Sequence, residues 1–343
     1  GAGDLSRTAF PDDPAGLLGP VFCSLNRNKR SVALDLRKPE LHAAVLRLID
    51  RADVVVNNFR AGVMERMGFG YDALAARNPR LIYAVGTGFG LTGPYAHKGG
   101  QDVLAQAMTG VMFRRADPGL PLAINSTTFA DYSAGMHLVQ GVLLALLQRA
   151  KTGRGQRVSV SLYDSMLAAQ TQEAAAQMMR GREVNWGAMP LTGVFPTSDG
   201  AVVLVGAFKD KPLESIGRAL DLPGLAADPR FADHALQVAN KAALQEAMRA
   251  RFCTAPTAHW LARLEAEDLL CAPVRSLEHA LADPQTAVNG MILEAPGSGE
   301  RVRVVGSPVH LGDATVAIRR PPPALGADTN AVLAELGLGP TVV

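Results

Sequence analysis

The chain has little cysteine: its 343 residues include only Cys23, Cys253 and Cys271, and these lie far apart. Such spacing fits neither a disulfide framework nor the ligand pairs of a zinc site, so the sequence predicts no bound metal. Scattered single thiols are typical of small hydrophobic residues buried in a protein of a reducing compartment, which we expect to be the cytoplasm.

A strong excess of one charge and a long hydrophobic run are lacking as well. The net charge is +2 and no tract is rich in Lys or Arg, which argues against a dedicated nucleic-acid-binding protein. The longest apolar run falls short of the roughly 20 residues that span a bilayer, so we expect no membrane partner.

Residues 1–16 have a loop-like composition without an initiator Met or a signal-peptide pattern, and we expect the chain to be cut from a longer one.

The amount of apolar sequence is large enough for two domains, since 48% of the residues are hydrophobic. Predicted strands and helices alternate up to residue 185, which indicates an α/β domain with an open, Rossmann-like parallel sheet. Residues 190–285 predict a smaller α+β domain, and residues 286–343 a segment that returns to the large one. Ligands of such sheets bind beyond the carboxyl ends of the strands, so we expect the site at the loops 57–60 and 86–101.

The individual elements follow from hydrophobic periodicity. The predicted strands cover residues 32–36, 53–56, 81–85, 158–162, 201–206, 301–305 and 309–311. The predicted helices cover residues 40–51, 63–67, 71–77, 131–152, 165–179, 213–220, 241–252, 257–267 and 329–336.

The helix that follows Asp131 is the longest of these. Its apolar residues recur at three- and four-residue spacing and predict one buried face. They are Met136, Val139, Val142, Leu143, Leu146 and Leu147. Lys151-Thr152-Gly153 predicts its end, because cations suit the last turn and glycine suits a left-handed cap.

Asp131 is then expected where a loop enters this helix. A carboxylate there faces free backbone N–H groups and the positive end of the helix dipole, which favour its anion. Such an aspartate is either a helix cap, the commoner role, or a nucleophile. We assign the capping role to Asp164, which precedes the predicted helix at residue 165.

The segment Gly88-Phe89-Gly90-Leu91-Thr92-Gly93 matches the letters of the dinucleotide-binding fingerprint. That fingerprint requires a helix opening on its last glycine, because the helix N-terminus binds the pyrophosphate. The residues after Gly93 predict no such helix. We therefore interpret the segment as a glycine loop over a site rather than as a nicotinamide site.

Positive charge is concentrated in residues 27–66, which contain nine Lys or Arg and five Asp or Glu, a local excess of +4. Such an excess suits a phosphorylated ligand, and it equally suits a solvated basic face.

Four longer segments carry a pattern of their own: LNRNKRSVALDLRKPE, ADVVVNNFRAGVMERMGFGYDALAARNPRLIYA, FADYSAGMHLVQGVLLALLQRAKTGRGQRVSVSLYD and PPPALGADTNAVLAELG. In this order, over nearly the whole chain, they resemble the family III CoA-transferases, the group of formyl-CoA transferase and the carnitine enzyme. The resemblance implies that Asp131, in a segment like G-D-x-x-x-G-M-H, attacks an acyl-CoA thioester and passes through aspartyl anhydride and aspartyl-CoA intermediates. We expect backbone N–H groups near Asp131 to stabilise the tetrahedral oxyanion.

The resemblance also implies which residues contact coenzyme A. Leu34, Asp35, Leu36 and Arg37 match the segment at the nucleotide end, and Asn58, Phe59, Arg60, Arg66, Met67, Lys98 and Gln101 match later contacts. Ala61 stands where the family usually has proline. The CoA thioester and a carboxylate acceptor, such as succinate or oxalate by analogy, are then substrates, and no cofactor is bound permanently.

Two features depart from the family pattern. The family's first strand, with the Gln-Ala pair that lines the thioester, belongs before the present sequence, so that strand is apparently missing. A glycine-rich flap over the nucleophile is also lacking, and residues 191–193 are the nearest candidate. The resemblance further implies an interlocked homodimer.

Two other functions are compatible with the same fold. The α-methylacyl-CoA racemases resemble this chain, but they pair the aspartate with a histidine thirty residues earlier, where this chain has Gln101, and Lys209 stands near the position of their supporting glutamate. An amide does not exchange protons as imidazole does, so we favour the transferase. An inactive CoA-binding relic is the other alternative, which the missing first strand favours.

Overall fold

The computed structural model describes residues 3–8, 19–295, 302–314 and 317–340. Most of the predicted N-terminal loop and residue 301 of a predicted strand therefore lie outside the described residues. The chain forms two compact units: Gly1–Ala52 with Arg275–Val343, and Asp53–Val274. The domain boundaries expected near residues 185–190 and 285 remain predictions.

The secondary structure alternates as expected in the first half of the chain. The helices are α1 Pro20–Leu25, α2 Pro39–Asp50, α3 Val63–Arg66, α4 Tyr71–Arg77, α5 Asp102–Met108, α6 Phe129–Thr152, α7 Leu162–Ala168, α8 Thr171–Arg180, α9 Pro212–Leu220, α10 His234–Ala239, α11 Lys241–Phe252, α12 Thr257–Ala266, α13 Leu277–Leu281, α14 Pro284–Val288 and α15 Thr329–Glu335. The strands are β1 Val54–Asn57, β2 Ile82–Thr87, β3 Arg157–Ser161, β4 Thr192–Pro196, β5 Ala201–Val205, β6 Leu270–Pro273, β7 Ile292–Glu294 and β8 Arg303–Val305.

The predicted parallel sheet is confirmed in the unit Asp53–Val274. Strands β1, β2 and β3 are hydrogen-bonded in that order, and both pairs are parallel. The central strand β2 is the most apolar and is buried from Ile82 to Val85. Because the three strands run the same way, their carboxyl ends, Asn57, Thr87 and Ser161, lie at one edge of the sheet.

Helix α6 packs against β2, β3 and α7 with small residues rather than with the predicted apolar stripe. Ala130, Ala134 and Ala145 are buried, and a Cβ on Gly141 would lie only 2.6 Å from a Val158 methyl group. Val139 and Leu147 of the predicted stripe are 51% and 65% exposed. The predicted buried face is wrong for most of the stripe, because alanine and glycine form the closest contacts with the sheet, and only Val142 and Leu146 of the six are half-buried. The predicted end is confirmed: Gly153 has φ 72° and donates to the Arg149 carbonyl.

A second, antiparallel sheet, in the order β4, β5 and β6, lies in the same unit as the first. Its core includes Phe195, Phe252 and Trp260, with α9, α11 and α12 contributing the other large apolar side chains. Thr192 and Gly193 belong to β4 and pair with β5, so the segment proposed as a flap is a hydrogen-bonded strand.

The other compact unit joins the N-terminal and C-terminal segments of the chain. Strands β7 and β8 form an antiparallel pair, and Cys23 of α1 packs with Val302 and Val304. Residues 32–36 do not form the predicted strand. The Ser31 N–H donates to Asp328 and the Ala33 N–H to Thr329, so side chains take the place of a neighbouring strand.

The helix predicted over residues 165–179 is two helices, α7 and α8. Gln170 interrupts it: the buried side chain donates to the carbonyls of Met166 and Thr109, which fixes a turn between the two. Helix α7 also begins earlier than predicted, and Ser161 is its cap, since its hydroxyl accepts from the Asp164 N–H at 2.9 Å. The capping role expected for Asp164 is therefore wrong.

Two expectations from composition need correction. Cys23 is buried, but Cys253 is exposed and Cys271 is only half-buried.

Helix α6 has 24 residues and, by length and composition alone, is apolar enough to cross a membrane, contrary to the estimate from the longest apolar run. Its contacts with β2, β3 and α7 place it against the sheet of a folded unit.

Candidate active site

A cavity of about 470 Å³ lies at the carboxyl edge of the parallel sheet. Residues 58–61 line it after β1, residues 86–89 at the end of β2, and Leu162 directly after β3. Residues 96 and 98–100 line another wall, and Asp131, Ala134, Gly135 and Leu138 of α6 close it. The cavity lies where the parallel topology predicts a ligand.

Five of the residues predicted to form the site line this cavity together: Asn58, Phe59, Arg60, Lys98 and Asp131. The Arg60 guanidinium lies against Gly99, since a Cβ there would be 2.6 Å from Nη2. The Lys98 Nζ lies 4.2 Å from the centre of the Tyr95 ring. Two basic residues and one acidic residue thus line the same cavity.

The other predicted contacts lie elsewhere. Arg66 ends α3, Met67 follows it, and Gln101 is the N-cap of α5, so none of the three is among the described residues that line the cavity. Residues 34–37 belong to the other compact unit. There the Arg37 guanidinium forms an ion pair with Asp35 at 2.8 Å, which lowers the pKa of that carboxyl to about 2.

One wall of the cavity depends on a contact that the sequence does not predict. Gly88 and Gly100 approach so closely that a Cβ on either would overlap the backbone of the other. Gly88 and Gly100 are therefore needed for this close approach between the two ends of one loop rather than for a dinucleotide turn. As expected, no helix opens on Gly93 among the described residues, because residues 88–101 are irregular up to α5.

Asp131 is the third residue of α6 rather than its cap. The cap position is Thr128, and within the described part of the chain its side chain makes no capping bond. A carboxylate from α5 takes that place: Asp102 Oδ1 accepts from the N–H of Ala130 at 2.7 Å and from the N–H of Asp131 at 3.1 Å. These two N–H groups are already bonded to a carboxylate, so they are not available to stabilise the Asp131 anion or an oxyanion, and stabilisation by other nearby N–H groups stays a prediction.

The electrostatic state of Asp131 follows from the same arrangement. Although the residue as a whole is exposed, burial of the carboxyl group raises the pKa of Asp131, and the nearby charge of Asp102 raises it further. This is the opposite of the shift that a capping role would give. The carboxyl group is thus poorly solvated and close to a like charge, the environment typical of a reactive group rather than of a structural one.

The raised pKa gives a stability prediction for Asp131→Asn. A carboxyl whose pKa is higher in the folded than in the unfolded chain makes folding less favourable once the pH rises through the folded pKa, since the anion must then form in the less favourable site. We therefore expect the Asn variant to have a higher Tm than the natural chain at pH 7. The gain should shrink as the pH falls through the folded pKa and vanish below 3.8, where the carboxyl is protonated in both the folded and the unfolded chain. Thermal melts across this pH range measure it, and a Tm gain that is independent of pH would contradict the assigned cause.

The chemistry available in the cavity is that of a carboxylate and two cations. No group of three or more His, Cys, Asp or Glu side chains suited to a metal ion occurs among the described residues. No histidine is among the described residues lining the cavity. A carboxylate unassisted by a base can act as a nucleophile towards an activated acyl group, and the cations can bind an anionic ligand.

Comparison with known proteins agrees with this geometry. The family model described as CoA-transferase family III matches residues 1–329. The acetyl-CoA:oxalate CoA-transferase of Acetobacter aceti is 34% identical over 91% of this chain and 80% of its own length. The succinyl-CoA:glutarate CoA-transferase of Mus musculus is 32% identical over 98% of this chain and 78% of its own. Among solved structures, a CaiB/BaiF family protein from Brucella suis has a TM-score of 0.86 at 32% identity, covering 97% of this chain and 89% of the other.

Proposed function

Because the chain belongs to CoA-transferase family III, we propose that it moves coenzyme A from an acyl-CoA thioester to a carboxylic acid through covalent intermediates on Asp131. The observation that carries the mechanism is the position of this carboxylate. Asp131 lines a cavity at the carboxyl edge of the parallel sheet, together with Arg60 and Lys98, and burial raises its pKa. A more basic carboxylate is a stronger nucleophile, and as an anion it needs no general base.

The proposed exchange has four steps. A carboxylate oxygen of Asp131 attacks the thioester carbon, the C–S bond breaks, and CoA thiolate leaves an acyl-aspartyl anhydride. The thiolate attacks the aspartyl carbonyl of this anhydride, which releases the donor acid as its carboxylate and leaves aspartyl-CoA. The acceptor carboxylate attacks aspartyl-CoA, giving a second anhydride and thiolate. The thiolate then attacks the acceptor's carbonyl, which yields the new acyl-CoA and restores the Asp131 carboxylate without net proton transfer.

We propose small dicarboxylates as the acceptor class. The matched relatives are named for oxalate and glutarate, and Arg60 and Lys98 place two cations in the wall of the cavity. A panel of acyl-CoA donors with oxalate, succinate, glutarate and monocarboxylates, read by mass spectrometry of the CoA products, tests this. Equal turnover of monocarboxylates would argue against it.

The contacts with coenzyme A stay predictions of the same proposal. The best supported of these predicted contacts are the residues that line the cavity: Asn58, Phe59, Arg60 and Lys98. Arg37 would bind a phosphate of CoA only by sharing its guanidinium with Asp35.

Mass spectrometry of the acyl-CoA in D₂O separates the alternative functions. A racemase exchanges the hydrogen next to the thioester for deuterium in D₂O without an acceptor acid, and a relic binds CoA without either reaction. The lining of the cavity favours the transferase, since it offers a carboxylate without a histidine within the described residues. Deuterium exchange without CoA transfer would contradict the proposal.

We also propose that the chain is a homodimer and predict how it can be dissociated. Helix α6 exposes an apolar stripe, here termed the α6 outer face, consisting of Tyr132, Met136, Val139, Leu143 and Leu147. An apolar stripe of this length is typical of a protein interface. We expect light scattering to give about twice the chain mass of 36.1 kDa, and the double variant Leu143→Glu/Leu147→Glu to give the monomer mass. Val238→Glu, at an exposed residue of α10, is the control, and a natural chain that elutes as a monomer would contradict the proposal.

A further inference from the structure

A buried carboxylate outside the predicted site holds the beginning of the helix that carries Asp131. Asp102 opens α5 and is 7% exposed, and its Oδ1 accepts from the N–H groups of Ala130 and Asp131. The Phe129 N–H donates to the Thr127 carbonyl at 2.8 Å. The N–H groups of the first three residues of α6 therefore all have acceptors.

The next turn of α5 fixes the loop that leads into α6. Gln106 is fully buried, and its Nε2 donates to Asp102 Oδ2 at 2.5 Å and to the Asn125 carbonyl at 3.3 Å. Its Oε1 accepts from the Asn125 N–H at 3.0 Å. Asp102 and Gln106 together hold both the helix start and the residue four positions before it, so the Asp131 backbone has little freedom to move.

This arrangement explains why Asp131 is not a cap. Acidic side chains in a first helical turn commonly fold back onto the free N–H groups of their own helix. We propose that Asp102 is a positioning residue: its carboxylate, carried by α5, takes the N–H groups at the start of α6 and so leaves the carboxylate of Asp131 in the cavity. The proposal rests on the proposed function of Asp131 as the nucleophile.

The charged groups around Asp131 make the positioning role of Asp102 measurable. Arg60 and Lys98 line the cavity from the loops after β1 and β2, and the lining residue contributed by α7 is the apolar Leu162. Asp102, from α5, is the charged neighbour that raises the pKa of Asp131. Removing the Asp102 charge while keeping an oxygen acceptor should therefore lower the pKa of Asp131 without moving α6.

The first experiment uses Asp102→Asn, which keeps Oδ1. Carbon-13 NMR of labelled carboxyl groups, with Asp131→Asn for assignment, should show a lower pKa for Asp131, and the acid limb of the kcat/KM profile should move to lower pH. If Asp102 had a purely structural role, the substitution would change the Tm but would leave the pKa of Asp131 and the acid limb of the kcat/KM profile unchanged. Unchanged readouts would overturn the proposal.

The second experiment uses Asp102→Ala, which removes the acceptor too. We expect kcat to fall about 10²-fold, the effect of a small misplacement of a reacting group, with little change in KM for the acyl-CoA. At pH values on the plateau of the pH–rate profile, Asp102→Asn should keep most of the wild-type kcat. Asp72→Ala, at an exposed acid in the first turn of α4, is the control. Wild-type kcat in Asp102→Ala would overturn the proposal, and if that variant does not fold, the pH readouts of Asp102→Asn decide.

Failure of this proposal can be told from failure of the proposed function. If Asp131→Ala still exchanges CoA, the nucleophile is wrong, whatever the Asp102 variants do. If Asp131→Ala is inactive but the pKa of Asp131 does not respond to Asp102→Asn, the transferase mechanism stands and only the positioning role is lost.

Discussion

Asp131→Ala is expected to lower the rate of CoA exchange by at least about 10³-fold, since loss of a nucleophile that forms covalent intermediates removes the reaction path itself. Binding of CoA should change little, because Asp131 occupies one wall of a cavity whose cations, Arg60 and Lys98, lie on other segments. Exchange is measured by mass spectrometry of acyl-CoA products, and binding by calorimetry with CoA.

The chain offers a matched control for this substitution. Asp164 is the third residue of α7, as Asp131 is the third residue of α6, but it is exposed and is not among the described residues that line the cavity. Asp164→Ala should keep the wild-type rate. Retained exchange in Asp131→Ala, or equal losses in both variants, would contradict the mechanism.

The covalent intermediate provides a second and more direct measurement for Asp131. Incubation with acyl-CoA alone, without an acceptor, should leave CoA on the protein as a thioester. Hydroxylamine should release it and convert Asp131 to a hydroxamate, which peptide mass spectrometry can locate. A hydroxamate at another carboxylate would move the nucleophile to that residue.

Gly100→Ala is expected to have the other large effect. A Cβ at this position would overlap the Gly88 backbone, and because both ends of this loop line the cavity, neither can yield without moving a wall of it. We expect the free energy of unfolding to fall by about 1–3 kcal/mol, as for overpacked sites, and kcat/KM to fall by about 10²-fold through displacement of the loop. Denaturant unfolding and steady-state kinetics measure the two effects.

The control for this variant is Gly224→Ala, where an added Cβ meets nothing within 4 Å. That substitution should leave both the stability and the rate close to their natural values. Gly100→Ala with unchanged kcat/KM would show that the close approach of Gly88 and Gly100 does not shape the site.

The sequence predicted the parallel sheet well because its signals are local. Continuous apolar runs mark β1 and β2, and the glycine after Lys151 marks the end of α6. Once these elements are known, parallel topology places their carboxyl ends together, which is why the loops at 57–60 and 86–101 were expected near the ligand.

The orientation of helix α6 could not be predicted in the same way. Periodicity shows that an apolar face exists, and we expected that face against the sheet. The sheet instead contacts the alanine and glycine face, since small side chains allow a closer approach, and the larger apolar residues are exposed. A hydrophobic stripe identifies a surface that another structural element covers, but the stripe alone does not identify that element.

By itself, the sequence determined the family and the parallel sheet, and it singled out Asp131 as the candidate nucleophile, because each rests on residue types in a fixed order along the chain. Only the tertiary structure decided the state of that carboxylate. Asp102 is 29 positions away in sequence, yet its oxygen bonds the Asp131 N–H at 3.1 Å. Capping, burial and like-charge contact depend on distance in space, so they reverse the pKa shift that a helix start alone would predict.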